Sequence, residues 1–133
     1  MRDGSGMQAR FNIDVEPWVG LITITLSGFF YPEDAARYVA ARNSAQTKLR
    51  TQPNEHVTLV DLRNVRIQLQ DSVTLFRQTM TDPAARSRRL ALVTAGGLSK
   101  LQVQRAAAGR GASFFTCFDE ARRWLLEGSL APA

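Results

Sequence analysis

From residue 11 onward the apolar positions of the chain alternate with polar ones, then change period several times. Phe11, Ile13 and Val15 alternate up to Pro17, the pattern of a half-buried strand. Leu21-Ile22-Thr23-Ile24-Thr25-Leu26 is a second such run, closed by Ser27-Gly28, with Ile22, Ile24 and Leu26 on one side. The connection around residues 17–20 is short, so the two strands are expected to pair as a hairpin. At Tyr31-Pro32-Glu33-Asp34 the period lengthens. Proline suits the first helical position, and acids in the first turn match the positive end of the helix dipole. That helix is expected to reach about Arg50, with Ala35, Val39 and Leu49 facing inward, before Pro53-Asn54 breaks it.

His56-Val57-Thr58-Leu59-Val60 reads as a short, buried central strand, and "DLRNVRIQLQ" after it as a polar connection. Asp71-Ser72 opens a helical spacing of Val73, Phe76 and Met80 that stops at Asp82-Pro83. Leu90-Ala91-Leu92-Val93 is another buried strand. Ser99 and Gln102 form an S-x-x-Q capping box, with Leu98 and Val103 placed as a hydrophobic staple, and the helix is expected to end near Gly109 or Gly111. Residues 113–118 form the last strand. A final helix, capped by Asp119 or Thr116, carries Ala121, Trp124 and Leu125, with Gly128 beyond it. The order β-β-α-β-α-β-α-β-α predicts an α/β fold with a mixed five-stranded sheet: parallel strands joined by helical crossovers, plus one antiparallel hairpin. Residues 1–10 are expected to be a flexible N-terminus, 11–128 a single domain and 129–133 a tail.

A chain of 133 residues has room for one ordinary core. No apolar run approaches the roughly 20 residues of a membrane span, and "MRDGSGMQAR" lacks the apolar middle of a secretory signal. Cys117 is the only cysteine, which excludes an intrachain disulfide and suits a reducing cytoplasm. The net charge of +5 raises nucleic-acid binding, but the basic residues are scattered and no RRM, KH, helix-turn-helix or zinc-finger pattern accompanies them, so no nucleic-acid partner is expected.

Three stretches and several single residues carry candidate chemistry. Asp71-Ser72 has two uses: its side-chain oxygens can cap free backbone N–H groups, or Ser72 can carry a phosphate that the same N–H groups would welcome, with Arg66 and Arg77 offsetting the repulsion from Asp71. In Thr94-Ala95-Gly96-Gly97-Leu98-Ser99-Lys100, the glycines Gly96 and Gly97 with Ser99 could bring donors onto an anion. The spacing matches neither the P-loop nor G-x-G-x-x-G, and an ordinary turn followed by a cap is the favoured reading, because the capping box already explains Ser99. Phe29-Phe30-Tyr31 cannot all point inward; two fill the core and Tyr31 sits at its rim, or one lines a pocket or a partner surface. Trp18 and Trp124 pose the same choice, with Trp124 most simply in the core. His56 is the only histidine and no serine sits in a G-x-S-x-G turn, so neither a nucleophilic triad nor a usual zinc set can be assembled, and no metal or cofactor is expected. Cys117 is expected to be a buried, inert thiol in the last strand.

The order of elements, with "LVDLRNV" ending the central strand and "FFTCFDEARRWL" closing the domain, resembles the SpoIIAA-like fold of the STAS and CRAL-TRIO-related small bacterial proteins, over roughly residues 11–127. The STAS resemblance implies a non-enzymatic regulatory domain that binds a protein partner, kinase-like or of sigma-regulator type, and is switched by phosphorylation of a serine in an Asp-Ser-Ser/Thr-Gly turn. Asp71-Ser72 is the candidate here; it departs from that turn in having Val73 next, no glycine after it, and a spacing from Asp61 about two residues longer. The corresponding partner surface is residues 63–75, with Arg63, Arg66, Asp71 and Leu75. The CRAL-TRIO resemblance implies instead a carrier or sensor of a small apolar, lipid-like ligand, lined by Phe29, Phe30, Phe76 and Met80. An exposed sheet edge or helix face offers a route to a homodimer.

Overall fold

The structure, a computed structural model, describes residues 8–52, 54–66, 70–83, 86–95, 97–107 and 111–130, with side chains for all of these except 70–72, 81, 97–100, 106 and 128–130. The elements are β1 (Arg10–Glu16), β2 (Leu21–Gly28), α1 (Pro32–Gln46), β3 (Val57–Val65), α2 (Gln70–Thr81), β4 (Arg89–Val93), α3 (Gly97–Ala106), β5 (Ser113–Phe115) and α4 (Phe118–Leu130). The five strands lie in sequence order, β1-β2-β3-β4-β5. β1 and β2 are antiparallel, with Ile13 opposite Ile24, and β2 to β5 are parallel. The expected α/β fold and its mixed sheet are therefore the observed ones.

Because the strands never reverse order, crossovers of one hand return on one face. Ile22, Ile24, Leu26, Val60, Leu90 and Leu92 form the core on that face, covered by Tyr38 of α1, Phe76 and Met80 of α2 and Val103 of α3. A series of rings runs through it: Phe11 edge-on to Tyr38 at 5.9 Å, Tyr38 tilted against Phe76 at 5.7 Å, Phe76 edge-on to Phe30 at 5.4 Å. The opposite face carries Leu21, Val57, Leu59, Ala91 and Val93, and among the described elements only α4 lies against it, through Ala121 and Leu125. α4 covers β3 to β5, leaving Thr23, Thr25 and Ser27 of β2 half-buried.

Several expected boundaries move, each for a local reason. α1 begins at Pro32, with the Tyr31 N–H donating to Asp34 Oδ2 at 2.9 Å. It ends at Gln46 rather than near Arg50, because Thr47, Lys48 and Leu49 donate to carbonyls three residues back and tighten the last turn. β3 runs on to Val65, absorbing half of the expected polar connection. β4 stops opposite Asp61, so the end of β3 pairs only with β2, past a bulge, and Arg63 and Asn64 can stay exposed in a strand. α2 and α3 start at Gln70 and Gly97, which puts Asp71, Ser72 and Ser99 inside first turns and not at the cap position. At α4 the Ala121 N–H donates to the Cys117 carbonyl at 3.1 Å, so neither Thr116 nor Asp119 is the cap, and the helix continues through Gly128. Cys117 thus stands at a helix start, half-exposed, and not in an apolar strand.

Candidate functional site

The parallel strands β2 to β5 all end at one edge of the sheet, and all four helices begin there. At this edge helix N-termini present unpaired N–H groups and strand ends leave side chains free. On this edge Asp61 and Arg63, two residues apart and therefore on the same face of β3, form a fork. Asp61 Oδ1 accepts from the Arg63 backbone N–H at 3.1 Å and from Nε at 2.9 Å, and Oδ2 accepts from Nη2 at 2.7 Å. Burial pushes the Asp61 carboxyl up, but the hydrogen bonds and charge of Arg63 outweigh it and hold the group below the usual carboxylate range. The same bonds and the charge of Asp61 raise Arg63 further above its ordinary value against the cost of burial, with the Asp119 carboxylate at the start of α4 adding to them. Asp61 is buried while the Arg63 side chain stays 43% exposed, so the fork fixes a guanidinium at the surface.

Arg66 follows the end of β3; its N–H donates to the Gly28 carbonyl at 3.0 Å and its residue is exposed. Leu75 is half-buried on α2 and its carbonyl accepts from Thr79 Oγ1 at 2.9 Å. Asp71 and Ser72 lie in the first turn of α2, near the same edge; their side chains are outside the described set, as is that of Ser99 in α3. Gly97 opens α3, and Gly96 lies outside the described residues.

Beneath α2 is an apolar cavity of about 70 Å³. Val60, Leu62, Val65, Val73 and Val103 line it with Phe76 and Met80, and Arg66 stands among its lining residues. Phe29 and Phe30 do not line it: Phe30 is fully buried against Phe76, while Phe29 packs edge-on against Tyr31 at 5.0 Å. The structure thus joins Phe76 and Met80 in one cavity and separates them from Phe29. Pattern reading missed the valine wall, because valines on β3 and α2 look like ordinary core positions.

A second cavity of about 40 Å³ adjoins it, sharing Tyr38, Val60, Thr79 and Met80. Arg42 of α1 borders it, buried, with Nη1 donating to the Thr79 carbonyl at 3.1 Å, Nη2 to Asn43 Oδ1 at 3.0 Å, and the Asp82 carboxylate 3.9 Å away. Arg42 fastens the last turn of α2 to α1, a role its place in an Ala-rich helix did not signal. Burial pushes the Tyr38 phenol up to about 12, with the Arg42 charge pulling back. His56 is buried. Trp124 is half-buried, with Phe115 at 5.5 Å and the Arg89 guanidinium 4.6 Å above its ring. Among the described residues no group of three His, Cys, Asp or Glu side chains could hold a metal ion, and no helix is long and apolar enough to cross a membrane.

The arrangement has counterparts among solved structures. An uncharacterized protein of the DUF3478 family with a SpoIIAA-like fold, from Shewanella loihica PV-4, superimposes with a TM-score of 0.69 at 17% identity, over 92% of this chain and 99% of that one. An anti-sigma factor antagonist from Mycobacterium paratuberculosis does so with a TM-score of 0.62 at 13% identity, over 87% of this chain and 94% of that one. No family model and no curated protein matches the sequence. The chain therefore has the SpoIIAA-like, STAS-type fold, as the ends of its central strand and last helix led us to expect.

Proposed function

We propose that residues 11–128 form a non-enzymatic, STAS-like regulatory domain of the cytoplasm that acts by binding a protein partner of kinase-like or sigma-regulator type. The observation that carries this is the edge itself: Arg63, held outward by Asp61, and exposed Arg66 stand where strand ends and helix starts converge, in a fold shared with an anti-sigma factor antagonist. An arginine immobilised by a bidentate carboxylate loses little entropy on binding, which suits it to a recognition surface. Arg63, Arg66, Asp71 and Leu75 make up the proposed contact.

Ser72 is the proposed switch. A phosphate in the first turn of α2 meets the free N–H groups and the positive end of the dipole, and Arg66 and Arg77 offset the charge of Asp71. The outer edge of β1, which among the described residues pairs only with β2, is the surface a second copy would use. The second reading, a carrier or sensor of a small apolar ligand, is supported by the cavity under α2; its volume suits a molecule of a few heavy atoms and falls well short of the roughly 300 Å³ at which drug-sized pockets begin.

Native and denaturing mass spectrometry of the protein isolated from its own host separates these. A covalent phosphate mapped to Ser72 supports the switch. A non-covalent adduct lost on denaturation supports the carrier. A bare mass in cells under every growth condition removes the phosphorylation step.

A further inference from the structure

The hairpin turn between β1 and β2 lies at the end of the sheet opposite Asp61 and Arg63. It carries the most exposed large apolar side chain among the described residues: Trp18 is 84% exposed, and Val19 beside it 49%. The turn is held from both sides. The Gly20 N–H donates to the Glu16 carbonyl at 2.9 Å, the Gly20 carbonyl accepts from the Val57 N–H at 2.7 Å, and the Pro17 carbonyl accepts from the Arg50 N–H at 3.2 Å. An indole kept in water on a fixed turn contributes nothing to the core, and with Val19 beside it forms one contiguous apolar tip.

The surroundings are cationic. Arg50 is bonded to the turn itself, and Arg88 is one step away, its N–H donating to the His56 carbonyl at 2.7 Å next to Val57. Over residues 47–56 and 86–89 the exposed charged residues are Lys48, Arg50, Arg86 and Arg88, against the single carboxylate of Glu55. Glu16, at the base of the turn, is taken up by Arg122 at 2.9 and 3.2 Å.

We propose that this end of the domain docks on an anionic lipid surface, with Trp18 and Val19 at headgroup depth and Lys48, Arg50 and Arg88 against the headgroup charges. The shape favours a bilayer over a protein. A convex tip of two apolar side chains offers far less than the roughly 800 Å² per partner of a specific protein interface. A fluid headgroup layer closes around such a tip, and tryptophan, apolar with one N–H donor, partitions to that layer. Each nearby cation adds attraction to an anionic leaflet within a Debye length. Docked in this way, the domain keeps the edge with Arg63 and Arg66 on the side away from the membrane.

The test is co-sedimentation of the full chain with vesicles of phosphatidylcholine alone and of phosphatidylcholine mixed with phosphatidylserine. The wild type is expected to sediment with the anionic vesicles only, and to be released by high salt. Trp18→Ala and the double variant Arg50→Glu/Arg88→Glu are each expected to lose most of that binding while keeping the wild-type circular dichroism spectrum and melting temperature. Wild-type protein that stays in the supernatant with anionic vesicles overturns the proposal, as does a folded Trp18→Ala variant that binds them like wild type. A Trp18 dependence seen only for association with a protein, with no vesicle binding, overturns it in favour of a protein contact.

Discussion

The Asp61 carboxylate, buried at the end of β3, accepts three hydrogen bonds from Arg63 two residues along the same strand, the shortest from Nη2 at 2.7 Å. The pair fixes the rim of the sheet where the proposed partner surface lies. Replacing Asp61 by Asn keeps the shape and removes the charge that organises Arg63.

Asp61→Asn is expected to cost about 1 kcal/mol of stability at neutral pH, toward the low end for a charged hydrogen-bonded pair because water screens the half-exposed Arg63. The folded-state value of Asp61 is depressed, so its contribution is present above the usual carboxylate range and is lost as pH falls through the folded value. Urea unfolding at neutral and acidic pH checks this: the variant should show a shallower acid loss than wild type.

Tyr38 gives the opposite limb. Its phenol is raised to about 12, so the folded state favours the neutral ring. The stability tied to it is complete below the unfolded value of about 10 and declines as pH rises toward the folded value. Tyr38→Phe should flatten the alkaline decline measured by denaturant titration between those limits.

Gly20 and Gly111 both have left-handed backbones, at φ 77 and 78, but differ in surroundings. A Cβ on Gly20 would stand 2.6 Å from Thr51 Cγ2, whereas one on Gly111 meets nothing within 4 Å. Gly111→Ala is expected to cost about 1 kcal/mol, the conformational term alone. Gly20→Ala adds a steric term and should cost about 2 to 3 kcal/mol. Thermal unfolding of the two variants ranks them directly.

The cavity beneath α2 should admit xenon or a molecule of similar size and reject long acyl chains. Xenon titration followed by NMR is expected to perturb the methyl groups of Val60, Leu62 and Val103, and Val103→Phe to abolish the response. Palmitate should leave the melting temperature unchanged; a rise would restore the lipid-like carrier.

Local signals were legible where one interaction decides them. Alternation set the β1–β2 pairing, Pro32 set the start of α1, and unbroken apolar runs set β3 and β4, because facing, φ and burial on both faces leave direct marks on residue type. Polar residues hid the extension of β3: Arg63 and Asn64 sit on an overhang with one neighbouring strand, so a strand there has no need to be apolar. The S-x-x-Q pattern at Ser99 and the pair Asp71-Ser72 mark first turns as well as caps, and sequence does not separate the two. Trp18 and Trp124 look alike in sequence. Only the path of α4, which returns over β3 to β5 and not over the hairpin turn, leaves one half-buried and the other in water. The same dependence on tertiary placement concealed the valine-lined cavity and the buried Arg42.

Partner binding at the strand-end edge is tested most directly by photo-crosslinking in the native host, with a photoreactive residue placed singly at Asn64, at Thr74 and, as a control, at Ala40 on the outer side of α1. All three positions are exposed, so the substitutions leave the core intact. Adducts of one discrete protein from positions 64 and 74, and none from 40, are the predicted result. No protein adduct at 64 or 74, or the same adducts from 40, would contradict the account.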